Sequence, residues 1–169
     1  LCLAAIAKAG SEAQKQALLP ALGTGERIIV PAWLEPNGGF GPAGVQLRAQ
    51  PQGAGYRLDG VKRHVFHARA AAQLLVLARS GSKPDDIDLL LVDVDAPGVR
   101  LVQQRSMASD TQYRVEFDGV VVPEERRIGA AGSGWSTWDA AMVESLVPLA
   151  ALAVGGATRA LELTVEYAK

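Results

Sequence analysis

Apolar residues follow the spacing of helices at both ends of the chain and the spacing of strands in between. Near the start, Ser11 and Gln14 form a capping-box pattern, which predicts that a short helix begins after Ser11 and ends near Pro20. At the other end, apolar residues recur three and four positions apart over residues 137–169, without an intervening turn cluster. That spacing predicts one long helix.

Between these helices lies a series of short segments with the composition of β-strands, rich in β-branched residues and separated by Gly, Pro, Asp or Ser. In chain order they read RIIVPAW, GVQLRAQ, GYRL, VKRHVF, QLLVLAR, IDLLLVDV, GVRLV and YRVEFDGVVV. The pair Asp59-Gly60 predicts a two-residue hairpin turn, because both residues tolerate the positive φ angles of type I′. In QLLVLAR and IDLLLVDV we expect alternate residues to be buried against each other, with Asp88 and Asp93 facing outward. The segments together predict an antiparallel β domain.

Composition and charge exclude several classes of partner. Lys and Arg number 17 and Asp and Glu number 18, so a net charge of −1 gives no general reason to bind nucleic acid or an anionic membrane surface. Membrane insertion is not expected, because no run of about 18 apolar residues is free of charges and helix breakers. The single cysteine, Cys2, has no internal partner, which favours a cytoplasmic location over secretion. The Cys and His spacing predicts no metal site.

Five stretches of the chain resemble motifs of one family, the acyl-CoA dehydrogenases. GSEAQKQALLPALGTGE resembles the helix that leads into the middle domain of these enzymes, and LEPNGG resembles their T-E-P-x-x-G loop. GYRLDGVKRHVFHARAAAQLLVLAR resembles their G-x-K-x-W-I-T-N hairpin and the strand that follows it. SDTQYRVEFDGVVVPEERRIG resembles their S-D-T…F-x-x-V-x-V-P segment, and AVGGATRALELTVEYAK their first C-terminal helix. The five stretches occur in the family's order between Gly10 and Lys169, so the resemblance extends over essentially the entire chain.

The resemblance implies an α+β fold with three parts. Residues 1–24 would be the end of an N-terminal helical domain, and residues 25–134 a middle domain formed by an antiparallel β-barrel or sandwich. Residues 135–169 would be the first long helix of a C-terminal helical bundle. Because the chain begins at Leu1 rather than Met and its helical pattern runs to Lys169, we expect a piece of a longer protein.

The activity implied by the resemblance is flavin-dependent α,β-dehydrogenation of an acyl-CoA thioester. In this family a glutamate removes the α-proton while a hydride leaves the β-carbon for FAD, and the protein supplies position and electrostatic stabilisation. Electron-transfer flavoprotein or a similar acceptor would reoxidise the flavin. The expected assembly is a homo- or hetero-oligomer, either a dimer or a tetramer.

The resemblance also places residues of this chain at the cofactor and the substrate. The positions expected to face FAD are Trp33, Leu34, His64 and Phe66, and those expected to face the substrate are Phe40, Gly41 and Ser145. Several depart from the family pattern: Leu34 stands for its flavin-bonding Thr, and Phe40-Gly41 for its Ser-Asp pair. His64 and Phe66 likewise replace the Trp and the Thr of W-I-T-N. Each lost hydrogen bond removes about 0.5–1.5 kcal/mol of net interaction with the flavin.

No residue of the chain is assigned as the catalytic base. Most family members carry that glutamate far downstream of Lys169, and the rarer position in the first long helix is occupied here by Ser145. Glu144 is one residue away, which turns its side chain by about 100° on a helix. Glu35, beside Pro36, is expected to be a turn carboxylate that accepts backbone N–H bonds, with an acid/base role as the alternative.

Two alternatives remain open at the level of the sequence. His64 and His67 are either hydrogen-bonded or solvated structural residues or catalytic ones, and only the resemblance favours His64 for the flavin. The whole protein is either a dehydrogenase or a non-catalytic subunit of the same fold that completes a partner's FAD site. The missing polar contacts are compatible with the second alternative.

Overall fold

The computed structural model describes residues 1–108 and 110–169. It contains three α-helices, eight β-strands and three short 3₁₀ turns. The helices are α1 Cys2–Ala9, α2 Glu12–Thr24 and α3 Gly134–Tyr167. The strands are β1 Ile29–Ala32, β2 Arg48–Gln52, β3 Gly55–Phe66, β4 Gln73–Arg79, β5 Ile87–Asp93, β6 Val99–Gln104, β7 Gln112–Pro123 and β8 Arg127–Ile128.

The strands form one eight-stranded sheet, which confirms the expected α+β fold with short helices before the sheet and a long helix after it. The order in the sheet is β6-β7-β3-β2-β4-β5-β8, and β1 pairs with β4. Most neighbours are antiparallel, as expected, but β1 and β2 each run parallel to β4. The sheet is therefore mixed, because β4 runs in the same direction as its neighbours β1 and β2.

The capping box that opens α2 is confirmed. The Ser11 side chain accepts the N–H of Gln14, and the Gln14 side chain accepts the N–H of Ser11. The helix does not end near Pro20, however, but continues to Thr24. Gly25 ends it instead, because its positive φ of 77° reverses the chain while its N–H still donates to the carbonyl of Leu22.

The predicted hairpin turn at Asp59-Gly60 is wrong, since both residues lie inside the continuous strand β3. The turn before β3 is instead formed by Gly53-Ala54, with Gly53 at a φ of 58°. Gly60 has a φ of 146° and pairs with Phe117, and between this pair and Leu58–Val120 strand β7 holds one extra residue. Gly119 lies in that interval and also has a positive φ. The N–H of Gly119 donates to the Asp59 carboxylate. The two glycines, Gly60 in β3 and Gly119 in β7, thus allow a β-bulge between these strands.

Asp88 does not face outward as predicted, because both faces of β4 and β5 are covered. Every residue of β4 is buried, and so are all but the last of β5. One face, with Leu74 and Leu90, packs into the core beneath β3 and β7, and the other, with Leu75 and Leu89, packs against the helices. Asp88 is 1% exposed and accepts the N–H of Gly132, which lies in the loop before α3.

Asp93 was predicted to face outward, and it is partly exposed, unlike Asp88. It ends β5, and its carboxylate accepts the side-chain amide of Gln73 and both terminal nitrogens of Arg126. These bonds hold the end of the strand pair β4–β5 against the turn before β8.

Among residues 1–108 and 110–169, the first part of helix α3 provides its packing against the other elements. Trp138 and Ala141 are fully buried against β5 and α1, whereas most residues from 143 onward are exposed. The exposed large apolar residues of the helix are Val143, Leu146, Val147, Leu149, Leu152, Val154, Leu161, Leu163, Val165 and Tyr167. By length and composition alone the helix could cross a membrane, with a mean hydropathy of 1.7 in an 18-residue window. The core helix of a soluble protein meets the same criterion.

Candidate functional site

Residues 33–47 connect β1 to β2 and form a compact loop that crosses over itself, here named the glycine loop. At the crossing, Gly38 and Gly39 lie directly against Gly44. A Cβ atom added at Gly44 would lie 2.0 Å from the carbonyl oxygen of Gly39, and one at Gly38 would lie 2.4 Å from the carbonyl oxygen of Gly44. The loop therefore needs glycine at Gly38 and Gly44 for close approach of its two halves.

Substitution of Gly44 by alanine tests this crossing. We expect Gly44→Ala to lower the free energy of unfolding by about 1–3 kcal/mol, because the methyl group forces the two backbone segments apart. Gly39→Ala is the matched control, since a Cβ at Gly39 meets no atom within 4 Å among the residues described. Equilibrium urea unfolding measures both variants. Equal values for the two would contradict the close crossing.

The Glu35 carboxylate closes the glycine loop. One of its oxygens, Oε1, accepts the backbone N–H groups of Gln46 and Leu47, each at 2.9 Å. This confirms the turn carboxylate expected from the sequence. The same oxygen lies 2.7 Å from Nζ of Lys62 in β3, a partner that the sequence did not reveal.

Lys62 is the most deeply buried charged group of the site. Its side chain is fully buried, and Nζ also lies 3.4 Å from the carbonyl oxygen of Trp33. Burial lowers the pKa of Lys62 to about 8, although the Glu35 charge acts in the opposite direction. The pair thus joins the start of the glycine loop to the middle of β3. The sequence carries no signal for this pair, because the alternation of a strand does not distinguish a buried lysine from a solvated one.

Two arginines add further anchors for the glycine loop. Arg79, at the end of β4, donates Nε to the carbonyl of Val45 at 2.9 Å and Nη2 to that of Pro42 at 2.7 Å. Arg63 donates its backbone N–H to the carbonyl of Leu34 at 2.9 Å. These contacts were also missed from the sequence, because each joins residues that are far apart along the chain.

A β-bulge changes the direction in which the side chains at the end of β3 point. Lys62 pairs with Val115 of β7 and Val65 pairs with Tyr113, so β3 holds one extra residue in this interval. His64 lies in the bulge with a φ of 53°. As a result Val65 points into the core with 0% exposure, while Phe66 is 46% exposed.

The His64 ring is held on both sides. Its Nε2 accepts a hydrogen bond from Nε of Arg63 at 2.8 Å, and its Nδ1 lies 2.7 Å from Oε1 of Gln112. Because Nε2 accepts, Nδ1 is the protonated nitrogen and donates to Gln112. His64 therefore presents a fixed ring with both nitrogens already engaged.

The structure brings together part of the set expected at the cofactor. Trp33 and Leu34 lie beside β3, since the Leu34 carbonyl accepts the N–H of the residue that precedes His64. The Trp33 ring centroid lies 5.6 Å from that of Trp138 in α3 and 6.1 Å from that of Phe40. An aromatic row thus runs from the helix to the tip of the glycine loop, where Phe40 is 77% exposed.

The remaining expected residues lie at the edges of this arrangement. Phe66 contacts the ring of His67 at a centroid distance of 6.5 Å. Gly41 is exposed and directly precedes the 3₁₀ turn of the glycine loop, Pro42–Gly44. Ser145 is half-buried on α3, and its hydroxyl donates to the carbonyl of Ala141 at 2.7 Å. Within residues 1–108 and 110–169, no hydrogen bond or ring contact joins Phe66 or Ser145 to the glycine loop.

Glu144 forms an ion pair with Lys8 of α1. Its carboxylate is thereby directed to the N-terminal helices. This orientation agrees with its exclusion from the catalytic set on the register of the helix.

Comparison with known proteins gives one consistent result. The family profile described as acyl-CoA dehydrogenase, middle domain, matches residues 32–120. L-prolyl-[peptidyl-carrier protein] dehydrogenase of Serratia sp. (strain ATCC 39006) is 30% identical over 99% of this chain and 45% of its own length. The probable acyl-CoA dehydrogenase YngJ of Bacillus subtilis (strain 168) is 29% identical over 95% of this chain and 44% of its own.

A solved structure has the same fold over nearly the whole length of this chain. The structure titled PigA with FAD and proline superposes with a TM-score of 0.87 at 29% identity, over 99% of this chain and 45% of its own. The chain thus spans less than half the length of the relatives that it matches.

Proposed function

The chain belongs to the acyl-CoA dehydrogenase family, and from that membership we propose that it holds one side of FAD in a dehydrogenase that acts on acyl-CoA thioesters. The observation that carries the proposal is the placement of the glycine loop beside the bulged end of β3. Trp33 and Leu34 come from the loop and His64 from the strand, and the Arg63–Leu34 hydrogen bond holds the two together. The chemistry that FAD would supply when bound is to accept the hydride that leaves the β-carbon of the acyl group.

The side chains present fit a flat ring system held by contact rather than by hydrogen bonds. Phe66 is partly exposed, Leu34 is half-buried, and both nitrogens of His64 are engaged by protein partners. Such surfaces favour stacking or edge contact with an aromatic ring. FAD binding by this chain therefore depends on shape complementarity and apolar contact area. Other family members use a Thr hydroxyl at this position, which hydrogen-bonds the flavin.

The catalytic base comes from the part of the protein outside this chain. The Ser145 hydroxyl is bonded to its own helix, and Glu144 is paired with Lys8. Neither group is a free carboxylate aimed at a substrate. This chain contributes orientation of the flavin and one wall of the acyl pocket, with Phe40 and Gly41 at its rim.

The remaining parts of the proposed function follow from the family. The substrate class is an acyl-CoA, although one relative is named for a prolyl group on a peptidyl-carrier protein. The electron acceptor is electron-transfer flavoprotein or a similar protein. The exposed apolar side of α3 packs against further helices of the same protein, and the assembly is a homo- or hetero-oligomer.

A second candidate function is a non-catalytic subunit that completes the FAD site of a partner. The observation that favours it is the set of replaced polar contacts: Leu34 for Thr, Phe40-Gly41 for Ser-Asp and Phe66 for Thr. In this case the full-length protein does not retain its own flavin.

The flavin content of the purified full-length protein separates the two functions. We expect the absorption bands of flavin at about one FAD per chain, as required for a site that each chain completes. A colourless protein that also fails to bind added FAD would overturn the dehydrogenase proposal in favour of the non-catalytic subunit.

Truncation of Phe66 tests the proposed contact surface. We expect Phe66→Ala to weaken FAD binding by about 1 kcal/mol or more, because an aromatic ring is lost from the surface that faces the cofactor. Val121→Ala is the control, since Val121 is a 55% exposed apolar residue of β7 near the opposite end of β3. Fluorescence titration with FAD measures both, and equal affinities would place Phe66 away from the flavin.

A further inference from the structure

We propose that the buried ion pair of Glu35 and Lys62 is a positioning device that sets the flavin-facing strand end against the glycine loop. The inference rests on the proposed function and goes beyond it, because neither residue is expected to touch the cofactor. Both act through the residues beside them.

The first argument is that one carboxylate oxygen joins three parts of the site. Oε1 of Glu35 accepts from Nζ of Lys62 at 2.7 Å and from the backbone N–H groups of Gln46 and Leu47 at 2.9 Å. Glu35 is near the start of the glycine loop, and residues 46–47 are at its end. The charge therefore ties both ends of the loop to the same atom of β3.

The second argument is the position of Lys62 in the chain. It lies immediately before the bulge that turns His64 and Phe66 away from the core. The next residue, Arg63, binds the carbonyl of Leu34 through its backbone N–H. Consecutive residues of β3 thus bind consecutive residues of the glycine loop. These bonds fix the position of the backbone where the bulge begins.

The third argument is that closure of the loop does not require a buried charge pair. Arg79 already holds the far side of the loop through the carbonyls of Pro42 and Val45. Desolvation of two charges opposes folding, and apolar replacements of buried pairs are often neutral or stabilising. Because stability does not in general require such a pair, the geometry that it imposes on the two walls it joins is the better explanation of its presence.

The test uses the full-length, flavin-loaded protein and three variants: Lys62→Met, Glu35→Gln and the double variant. We expect Lys62→Met to weaken FAD binding by about 10-fold or more and to change the visible circular dichroism of the bound flavin. In the double variant the unfolding midpoint should recover. No unpaired buried charge remains there, and the new amide oxygen at position 35 still accepts from residues 46 and 47. Flavin affinity and the dichroism band should remain altered.

A matched control removes an ion pair that does not reach the site. Arg57→Met breaks the exposed pair with Asp59 on the same strand, and we expect unchanged flavin affinity and dichroism. The inference is overturned if flavin affinity recovers together with stability in the double variant, or if Lys62→Met leaves the flavin bands unaltered. A parent protein that binds no flavin would instead refute the proposed function itself, so the two failures are distinguishable.

Discussion

Trp138→Ala is expected to lower the free energy of unfolding by about 3–5 kcal/mol, the range for loss of a large aromatic core residue. Trp138 is the largest fully buried side chain of the chain's described part. It belongs to the apolar cluster that joins α1, β4, β5 and α3, where Ile6, Ile87 and Leu89 are also fully buried. Its truncation leaves a cavity at the place where α3 attaches to the sheet. Equilibrium urea unfolding gives the value directly.

A conservative variant sharpens this prediction. The indole N–H of Trp138 has no acceptor among residues 1–108 and 110–169, so Trp138→Phe removes no hydrogen bond. We expect Trp138→Phe to lose clearly less than Trp138→Ala, because the phenyl ring fills most of the space and leaves a smaller cavity. A Trp138→Ala variant as stable as Trp138→Phe would show that the ring does not anchor the helix.

The loss of Trp138 should also reach the candidate site. Its ring lies 5.6 Å from the Trp33 ring, which in turn contacts Phe40 at the tip of the glycine loop. Removal of the first member of this aromatic row frees Trp33 to change its rotamer. We therefore expect weaker flavin binding in Trp138→Ala even under conditions where the variant is fully folded.

Elements specified by local pattern were predictable from the sequence. The capping box of Ser11 and Gln14 fixes the start of α2, and a spacing of three and four fixes α3. The short apolar runs of β4 and β5, bounded by turn residues, likewise identified them as strands. In each case the residues that decide the structure lie within a few positions of one another.

Features decided by distant parts of the chain were not predictable. Asp59-Gly60 has the composition of a hairpin turn, but its role is set by Gly119, 60 positions away in β7. Asp88 has the alternation of a solvent-facing residue, but the loop that contains Gly132 covers it. A single sequence indicates which conformations these residues tolerate, and the tertiary partner selects among them.

The candidate site divides in the same way. Glu35 was correctly expected to accept backbone N–H groups, because a carboxylate beside a proline in a glycine-rich turn commonly does so. Its partner Lys62 is 27 positions away, and the alternation of a strand does not by itself distinguish a buried lysine from a solvated one. The carboxylate was therefore predictable and the ion pair was not.

The burial of Lys62 also predicts a distinct dependence of stability on pH. The pKa of this lysine is about 8 in the folded chain and 10.5 in the unfolded chain, because desolvation disfavours the charged form. Below about pH 8 the lysine is protonated in both states, and its contribution to stability does not change. Between pH 8 and 10.5 the unfolded chain binds the proton more tightly, so the contribution of Lys62 to the free energy of unfolding rises with pH.

Comparison with Lys62→Met isolates this effect from the titration of other groups. We expect the free energy of unfolding of the parent, minus that of Lys62→Met, to rise by up to about 3 kcal/mol between pH 8 and 10.5. Arg57→Met should show no such rise, because the guanidinium stays protonated throughout this range. Urea unfolding at half-unit pH intervals measures all three proteins. A difference that stays flat or falls with rising pH would mean that Lys62 keeps its proton in the folded chain, held by Glu35 more strongly than burial weakens it.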